Sequence, residues 1–380
     1  MQKDLECFFL HSFSGRILGT LRNLKIQLAI SSTLIALFWL AAAVSAADTN
    51  TISGWKLLNL DMDRSVSSQK KLEALLDDSK DLHASVNAIR LWANSKGLKI
   101  IRKAIAEMRS KYPKDKWLTF MGSGDFHQTA ATLIETLPES AKPVTIILFD
   151  NHPDWFKAPA HYHCGAWVVQ ALKHSWVEKV IMIGQNSADL RGDQFRFAPF
   201  NELCKGRVEL HPLLREKSFV PLVWRTKVAG VESCKRNFLG TELRFSTLRG
   251  LGLKALGDRL AGELAGKNVY ISIDKDVLDT QYAITDWDQG QLSLDELTNL
   301  IGRFADSSNL VGMDICGERA PDPINGLIKN LDAHRIHRKI KNFDQANDVN
   351  QKTNLEIVRV LRESAFINKS VSGTIERKRN

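Results

Sequence analysis

Short apolar runs alternate with helical segments along this 380-residue chain, and this alternation restricts the fold more than any other feature. Strands are predicted over 55–61, 117–121, 144–149, 180–183, 269–273 and 310–313. Helices are predicted over 67–111 with a break at 95–97, and over 129–137, 164–174, 251–264 and 293–304. Because strands that alternate with helices form a mostly parallel sheet between helical layers, we predict an α/β fold, a three-layer αβα sandwich.

The first 51 residues are predicted to be a leader outside the folded domain. They include an uncharged apolar run over 27–47, and a run of about 20 such residues can cross a bilayer as a helix. Basic residues precede the run and small residues end it, which favours a membrane anchor or an export signal. In a third interpretation translation starts further downstream. The protein is then membrane-anchored or exported if 27–47 is retained, and cytoplasmic if the leader is not part of the mature protein.

The rest of the chain is predicted to form one domain over 52–340 and a basic C-terminal extension over 341–380 with one helix near 355–362. The formal net charge is +9, with much of the excess near the two ends. No nucleic-acid-binding module is recognisable, so we predict a solvated basic surface and no nucleic-acid partner. The five cysteines include no CxxC pair and match no disulfide framework or zinc-site spacing, so free thiols are expected.

Polar residues of unusual type follow three of the predicted strands. In open α/β sheets ligands bind beyond the carboxyl ends of the strands, so these residues are candidates for one site. Either aspartate motif alone is also compatible with an ordinary polar loop, but their shared position at strand ends favours a cation site. The candidate ligands are His127, Asp150, His152, Asp154, Asp274 and Asp276.

This ligand set predicts the metal. Four carboxylates and two imidazoles without a thiolate form a hard environment that suits Mn²⁺ better than copper or structural zinc. Four carboxylates carry a charge of roughly −4, which two divalent cations would cancel. Two metals about 3.5–4 Å apart can share a bridging water and lower its pKa. We therefore predict two Mn²⁺ ions per chain.

The same segments together resemble the ureohydrolases, the arginase and agmatinase family. Asp150-Asn-His-Pro-Asp154 is similar to the family's D-x-H-x-D motif, and Ser272–Asp279 to its S-x-D-x-D-x-x-D motif. Gly122–His127 resembles a variant of its G-G-D-H motif, and His163-Cys-Gly165 its H-G segment. The resemblance extends over about residues 55–330 in consistent order, and it implies an arginase/deacetylase-like fold.

The resemblance also implies an activity. The domain over 52–340 would be a hydrolase acting on C–N bonds other than peptide bonds, in which a metal-bridging hydroxide attacks a small guanidino or amidino substrate. His163 matches a family histidine that shuttles protons or contacts substrate. A homo-oligomer is implied as well. One metal would bind His127, Asp150, Asp154 and Asp274, and the other would bind Asp150, His152, Asp274 and Asp276.

Departures from the family pattern leave alternatives open. Phe126 is inserted in the first motif, Thr280 replaces a proline, and the acidic residue after Asp314 is shifted by one position to Glu318. Glu318 either contacts the guanidinium as a catalytic residue or forms a surface ion pair with Arg319. The alternative functions are a single-zinc deacetylase on the related fold, and a non-catalytic metal- or ligand-binding protein.

Overall fold

The computed structural model describes residues 52, 54–156, 162–337 and 342–377. Ile52–Asn380 forms one compact unit. The predicted anchor over 27–47 lies outside the described residues. In the described ranges, no helix has the length and apolar character needed to span a membrane.

The described residues form strands β1–β11 and helices α1–α12. The strands are Trp55–Asp61, Asp78–Asp81, Lys116–Phe120, Val144–Phe149, Val177–Ile183, Val208–His211, Lys217–Pro221, Ser233–Arg236, Gly240–Arg244, Asn268–Asp274 and Asn309–Cys316. The helices are Lys70–Glu73, Val86–Ile89, Ser95–Lys111, Thr129–Glu135, Trp167–Ala171, Gly192–Phe195, Phe200–Lys205, Leu248–Leu251, Leu253–Leu264, Leu294–Ser307, Leu327–Ile336 and Phe343–Arg377.

Eight of the strands form one parallel sheet in the order β2-β1-β3-β11-β10-β4-β5-β6. All six predicted strands belong to it, and the predicted helix over 293–304 is α10, which begins with a capping box of Ser293 and Glu296. The apolar run in β4 shows why helices cover both faces of the sheet. Ile146 and Leu148 pack into the apolar cluster on one face of the sheet, while Ile147 and Phe149 pack into the cluster on the other. Side chains alternate along a strand, so an apolar run needs helices on both faces. The three-layer αβα sandwich is confirmed.

The predicted helix over 67–111 is wrong in its first half. Its second half is α3, but Asp78–Asp81 is the edge strand β2, which pairs in parallel with β1. Aspartate is depleted in strands, so local propensity argues against this strand. Ion pairs from Lys56 to Asp77 and from Lys111 to Asp78 hold the segment against the sheet. Charged residues also suit an exposed sheet edge.

Residues 190–247 and the C-terminal extension, for which the sequence predicts few elements, contain several strands and helices. Within 190–247, β6 extends the main sheet, and β7, β9 and β8 form a separate three-stranded antiparallel sheet. The C-terminal helix α12 packs against α10 and contributes Ile357, Val358 and Leu361 to one of the apolar clusters. The predicted C-terminal extension thus packs onto the same unit as the sheet.

Candidate metal centre

Three of the predicted polar segments follow strands that end at the same edge of the sheet. β3 leads through a one-turn helix at Gly124–Phe126 to His127, β4 leads to Asp150, and β10 ends at Asp274. The strand order β3-β11-β10-β4 brings these ends together. β11 lies inside this group and ends at Cys316, a residue that the sequence analysis did not assign to the site.

His127 and three carboxylates form the first buried group of the site. The Nδ1 atom of His127 lies 2.9 Å from Asp154 Oδ2, 3.3 Å from Asp150 Oδ2 and 3.7 Å from Asp274 Oδ2. Within the described part of the chain, His127 Nδ1 and Asp150 Oδ2 are nevertheless buried without a hydrogen-bond partner. Unsatisfied buried polar atoms are rare and point to a missing ion or water. A divalent cation fits this donor set because it would satisfy both atoms.

A chain of hydrogen bonds behind His127 determines which ring nitrogen faces the carboxylates. Ser272 Oγ donates to Asp314 Oδ1 at 2.7 Å, so its oxygen can accept from His127 Nε2 at 2.9 Å. Tyr270 donates its hydroxyl hydrogen to the other oxygen of Asp314 at 2.8 Å. We assign the ring proton to Nε2 from this network. Nδ1 then keeps its lone pair for a metal.

His152 forms a second group with the same arrangement. Its Nδ1 lies 2.8 Å from Asp276 Oδ2 and 3.7 Å from Asp150 Oδ1, whereas its Nε2 lies 2.8 Å from Asp288 Oδ1. When Nε2 donates its hydrogen to Asp288, the Nδ1 lone pair is directed to the carboxylates, as a ligating histidine requires. Asp150 borders both histidine groups.

Residues 150–154 do not form an extended segment, although their side chains converge. The backbone bends at Asn151 and His152, and the amide of His152 donates to Asp150 Oδ1 at 2.6 Å. Asp154 adopts a positive φ of 44°, and Trp167 Nε1 donates to its carboxylate at 2.8 Å. A turn therefore gathers these residues, not the alternation of side chains along a strand.

Burial places the carboxylates under electrostatic strain. Burial, and secondarily the charge of Asp150, raises the pKa of Asp276 to about 8. Burial with the charge of Asp154 raises the pKa of Asp150 to about 6, and burial with the charge of Asp276 raises the pKa of Asp274 to about 6. Clustered carboxylates in a low dielectric disfavour their charged forms unless a cation compensates them.

Four further residues support the site and were missed by the sequence analysis. Ser272 lies two positions before Asp274, so it shares a strand face with that ligand, and this spacing could have identified it. Asp288 and the β11 residues Asp314 and Cys316 carry no comparable signal, because they lie outside the segments that contain the predicted ligands.

A cavity of about 480 Å³ opens onto the carboxylates. Five of the six predicted ligands line it, and His127 contacts three of these five. Its wall is largely aromatic, with contributions from Trp92, Trp155, Phe156, Phe197 and Trp287. Such a pocket encloses a small molecule with an apolar or planar part.

His163 also lines the cavity. It precedes the one-turn helix Cys164–Ala166, and its Nδ1 accepts a hydrogen bond from the amide of Gly165 at 3.0 Å. Its ring stacks on Trp92 with centroids 6.1 Å apart. In the neutral ring the proton is therefore on Nε2. Its predicted role in proton transfer or substrate contact stays a prediction.

Glu318 lies outside the cavity, and both interpretations of it need correction. Its carboxylate is buried, forms an ion pair with Lys275, and accepts hydrogen bonds from Gln69 at 2.9 Å and Asn354 at 2.7 Å. Arg319 pairs instead with Asp286.

The physical reason for this placement is the backbone at Gly317, which has a φ of 84°. A Cβ atom there would lie 2.4 Å from Asp274 Oδ1, so no side chain fits where an acidic residue three positions after Asp314 would stand.

The raised pKa values predict how pH affects the metal-free protein. A carboxyl group whose pKa is higher in the folded state than its usual 3.8 binds its proton more tightly when folded. Its contribution to stability is fully present below pH 3.8 and is lost as the pH rises through the folded value. We therefore expect the Tm of chelator-treated protein to fall from about pH 4 to about pH 8, most steeply below about pH 6, where all three carboxyl groups keep a proton that the unfolded chain has released. Asp125, with a pKa lowered to about 2, titrates below this window.

A divalent cation bound by these carboxylates would reverse this loss, because it would replace the protons. At a free concentration 100 times Kd it would add about 2.7 kcal/mol, or a Tm rise of about 5 °C. Differential scanning fluorimetry with and without Mn²⁺ measures both effects, and the rise should be larger at the higher pH. A Tm that is independent of pH and Mn²⁺ would contradict the assignment.

Comparisons with known proteins bear on the fold. No protein-family model matches the chain. The sequence is 25% identical over 225 residues to an uncharacterized protein of Thermotoga maritima, which is 59% of this chain and 67% of that relative.

Solved structures share the architecture. The agmatine ureohydrolase of Thermoplasma volcanium superposes with a TM-score of 0.50 and 13% identity over 83% of this chain and 92% of that chain. The formimidoylglutamase of Bacillus subtilis gives a TM-score of 0.51 and 15% identity over 81% and 87%. A putative agmatinase of Clostridium difficile gives 0.50 and 14% over 81% and 96%. At these identities the likeness concerns the fold, and this chain therefore has the fold of the ureohydrolases, in a divergent sequence.

Proposed function

We propose that this protein is a dinuclear-metal hydrolase that cleaves a C–N bond of a small guanidino or amidino compound. One observation carries the proposal. Ser272 and Asp288 engage the Nε2 atoms of the two site histidines, so two Nδ1 lone pairs face carboxylates on either side of Asp150. A single-metal site does not need two such histidines. This arrangement therefore favours the dinuclear hydrolase over the single-zinc deacetylase.

The donor set supports a metal pair. When bound, two divalent cations, proposed to be Mn²⁺, supply Lewis acidity and a water of lowered pKa. The proposed ligands of one cation are His127, Asp150, Asp154 and Asp274, and those of the other are Asp150, His152, Asp274 and Asp276. Oxygen and nitrogen donors of this kind suit Mn²⁺.

The other cavity residues would bind the substrate and move protons. A guanidinium or amidinium group is planar and cationic, and aromatic side chains such as those that line the cavity attract such groups. An aromatic wall also excludes water from the reacting bond. His163 would hold a proton at Nε2 and deliver it to the leaving amine. The implied homo-oligomer remains a prediction.

A substrate panel tests the proposal. The full chain, loaded with Mn²⁺, should release urea or ammonia from at least one member of a set of guanidino and amidino compounds. The Asp150→Ala variant, assayed in parallel, controls for contaminating enzymes. If no member is hydrolysed while two metals are bound per chain, the non-catalytic binding function is favoured, and the position of Glu318 outside the cavity fits that alternative.

His163 has its own test. Replacing it with alanine removes the proposed proton donor, so we expect kcat to fall about 100- to 10,000-fold. The metal content should not change, because His163 is outside both proposed ligand sets. Steady-state kinetics with metal analysis by mass spectrometry separates the two effects. A variant that keeps its kcat would exclude His163 from proton transfer.

A further inference from the structure

We infer that Cys316 is a thiolate ligand of the metal at the His127 group, which makes the two metal positions chemically different. The inference rests on the metal pair of the proposed function, but not on the guanidino substrate.

Strand register brings Cys316 to this group. β10 and β11 pair in parallel with Asp274 opposite Cys316, so the two side chains are neighbours on one face of the sheet. Gly317 follows directly, and the absence of a side chain there lets the end of β11 pack against Asp274 and Lys275. This close packing keeps the thiol beside the carboxylate.

The distances match those between ligands of one metal. Cys316 Sγ lies 3.2 Å from Asp274 Oδ2, and one ligand atom from each of His127, Asp274 and Cys316 lies within 4.8 Å of the others. With metal–sulfur and metal–oxygen bonds of about 2.3 and 2.0 Å, two donors on one ion are about 3.0–3.5 Å apart. All three residues are buried.

A second observation, independent of the cysteine, points to a ligand at the same place. His127 Nδ1 and Asp150 Oδ2 are buried, lack hydrogen-bond partners among the described residues, and lie 3.3 Å from each other. Asp274 Oδ2 lies 3.7 Å from the same Nδ1 atom and 3.2 Å from Cys316 Sγ, so an ion that binds His127 Nδ1 and Asp274 would have the thiol within reach.

A thiolate changes which metal the His127 group prefers. Thiolate ligands favour Zn²⁺ and other soft or borderline ions, whereas oxygen-rich sites favour Mn²⁺. On binding, the thiol proton is released to solvent and the sulfur donates an electron pair to the metal. The His152 group has only oxygen and nitrogen donors among the described residues, so it keeps its preference for Mn²⁺.

Cobalt spectroscopy tests the inference. Metal-free full-length protein is titrated with Co²⁺, and a near-ultraviolet thiolate-to-cobalt charge-transfer band should appear. Cys316→Ser should lose this band and still bind Co²⁺. The matched control is Cys164→Ser, which removes another buried thiol near the cavity and should keep the band. Cys316→Ser should also lower the ratio of the Zn²⁺ affinity to the Mn²⁺ affinity at least about 10-fold. Substitutions of residues that only support the ligands already lower metal affinity about 10-fold or more, and this substitution removes a ligand itself.

Other outcomes separate this inference from the proposed function. Bound Co²⁺ without the band, or a band that persists in Cys316→Ser, overturns the thiolate ligand and leaves the metal pair intact. No binding of Co²⁺ at all overturns both. If Cys316→Ser fails to fold, X-ray absorption of the Zn²⁺-loaded wild-type protein decides, because a sulfur neighbour at about 2.3 Å is expected and its absence rejects the inference.

Discussion

Alanine at Asp150 or Asp274 is expected to lower turnover at least about 1,000-fold and to release both metals. Asp150 lies 3.3 Å from His127 Nδ1 and 3.7 Å from His152 Nδ1, so one carboxylate borders both groups. Asp274 lies 3.7 Å from His127 Nδ1 and accepts the amide hydrogen of Asp276 at 2.9 Å. Losing either removes a ligand from both proposed metals and leaves the other buried carboxylates less compensated.

Metal content by mass spectrometry and kcat/KM on the hydrolysed substrate measure this prediction. Asp258→Ala is the control, because it removes an exposed carboxylate that pairs with Lys254 and Arg303 and does not line the cavity. Exposed ion pairs contribute only about 0–1 kcal/mol, so this variant should behave like the wild type. Full activity with two metals in the Asp150 or Asp274 variant would reject the site.

Replacing Lys275 with methionine is expected to destabilise the protein by about 3–5 kcal/mol, which corresponds to a Tm loss of about 6–9 °C. Lys275 is 0% exposed and Glu318 is 2% exposed, and their charges compensate each other inside the fold. Removing the lysine leaves a buried carboxylate whose hydrogen-bond donors, among the described residues, are the amides of Gln69 and Asn354. Removing one partner of a buried pair costs far more than replacing both.

The double variant Lys275→Met/Glu318→Gln therefore serves as the control, and it should recover much of the lost stability. Urea unfolding of the wild type, of Lys275→Met and of the double variant gives their free energies of unfolding. Kinetics then tests the position of Glu318. Because Glu318 lies outside the cavity, Glu318→Gln should not raise KM. A raised KM at unchanged stability would indicate that Glu318 contacts the substrate.

Local patterns in the sequence predict both the sheet and the candidate ligands. Apolar runs such as Val144–Phe149 predict strands covered on both faces, and residues directly after such strands must lie at one sheet edge. The secondary-structure prediction is wrong at Asp78–Asp81, where pairing with β1 overrides the weak strand propensity of aspartate. Cross-strand contacts of this kind leave no periodic signal along the chain.

The sequence by itself determined the alternating fold, and it predicted six candidate metal ligands, which are His127, Asp150, His152, Asp154, Asp274 and Asp276. Only the tertiary structure decided their partners: it brought Cys316 beside Asp274, paired Glu318 with Lys275, and directed both histidine Nδ1 atoms at the carboxylates. The physical reason is that strand periodicity determines which face a side chain occupies, whereas its neighbours depend on strand order. In this sheet β11 lies between β3 and β10, although it follows both of them in the sequence.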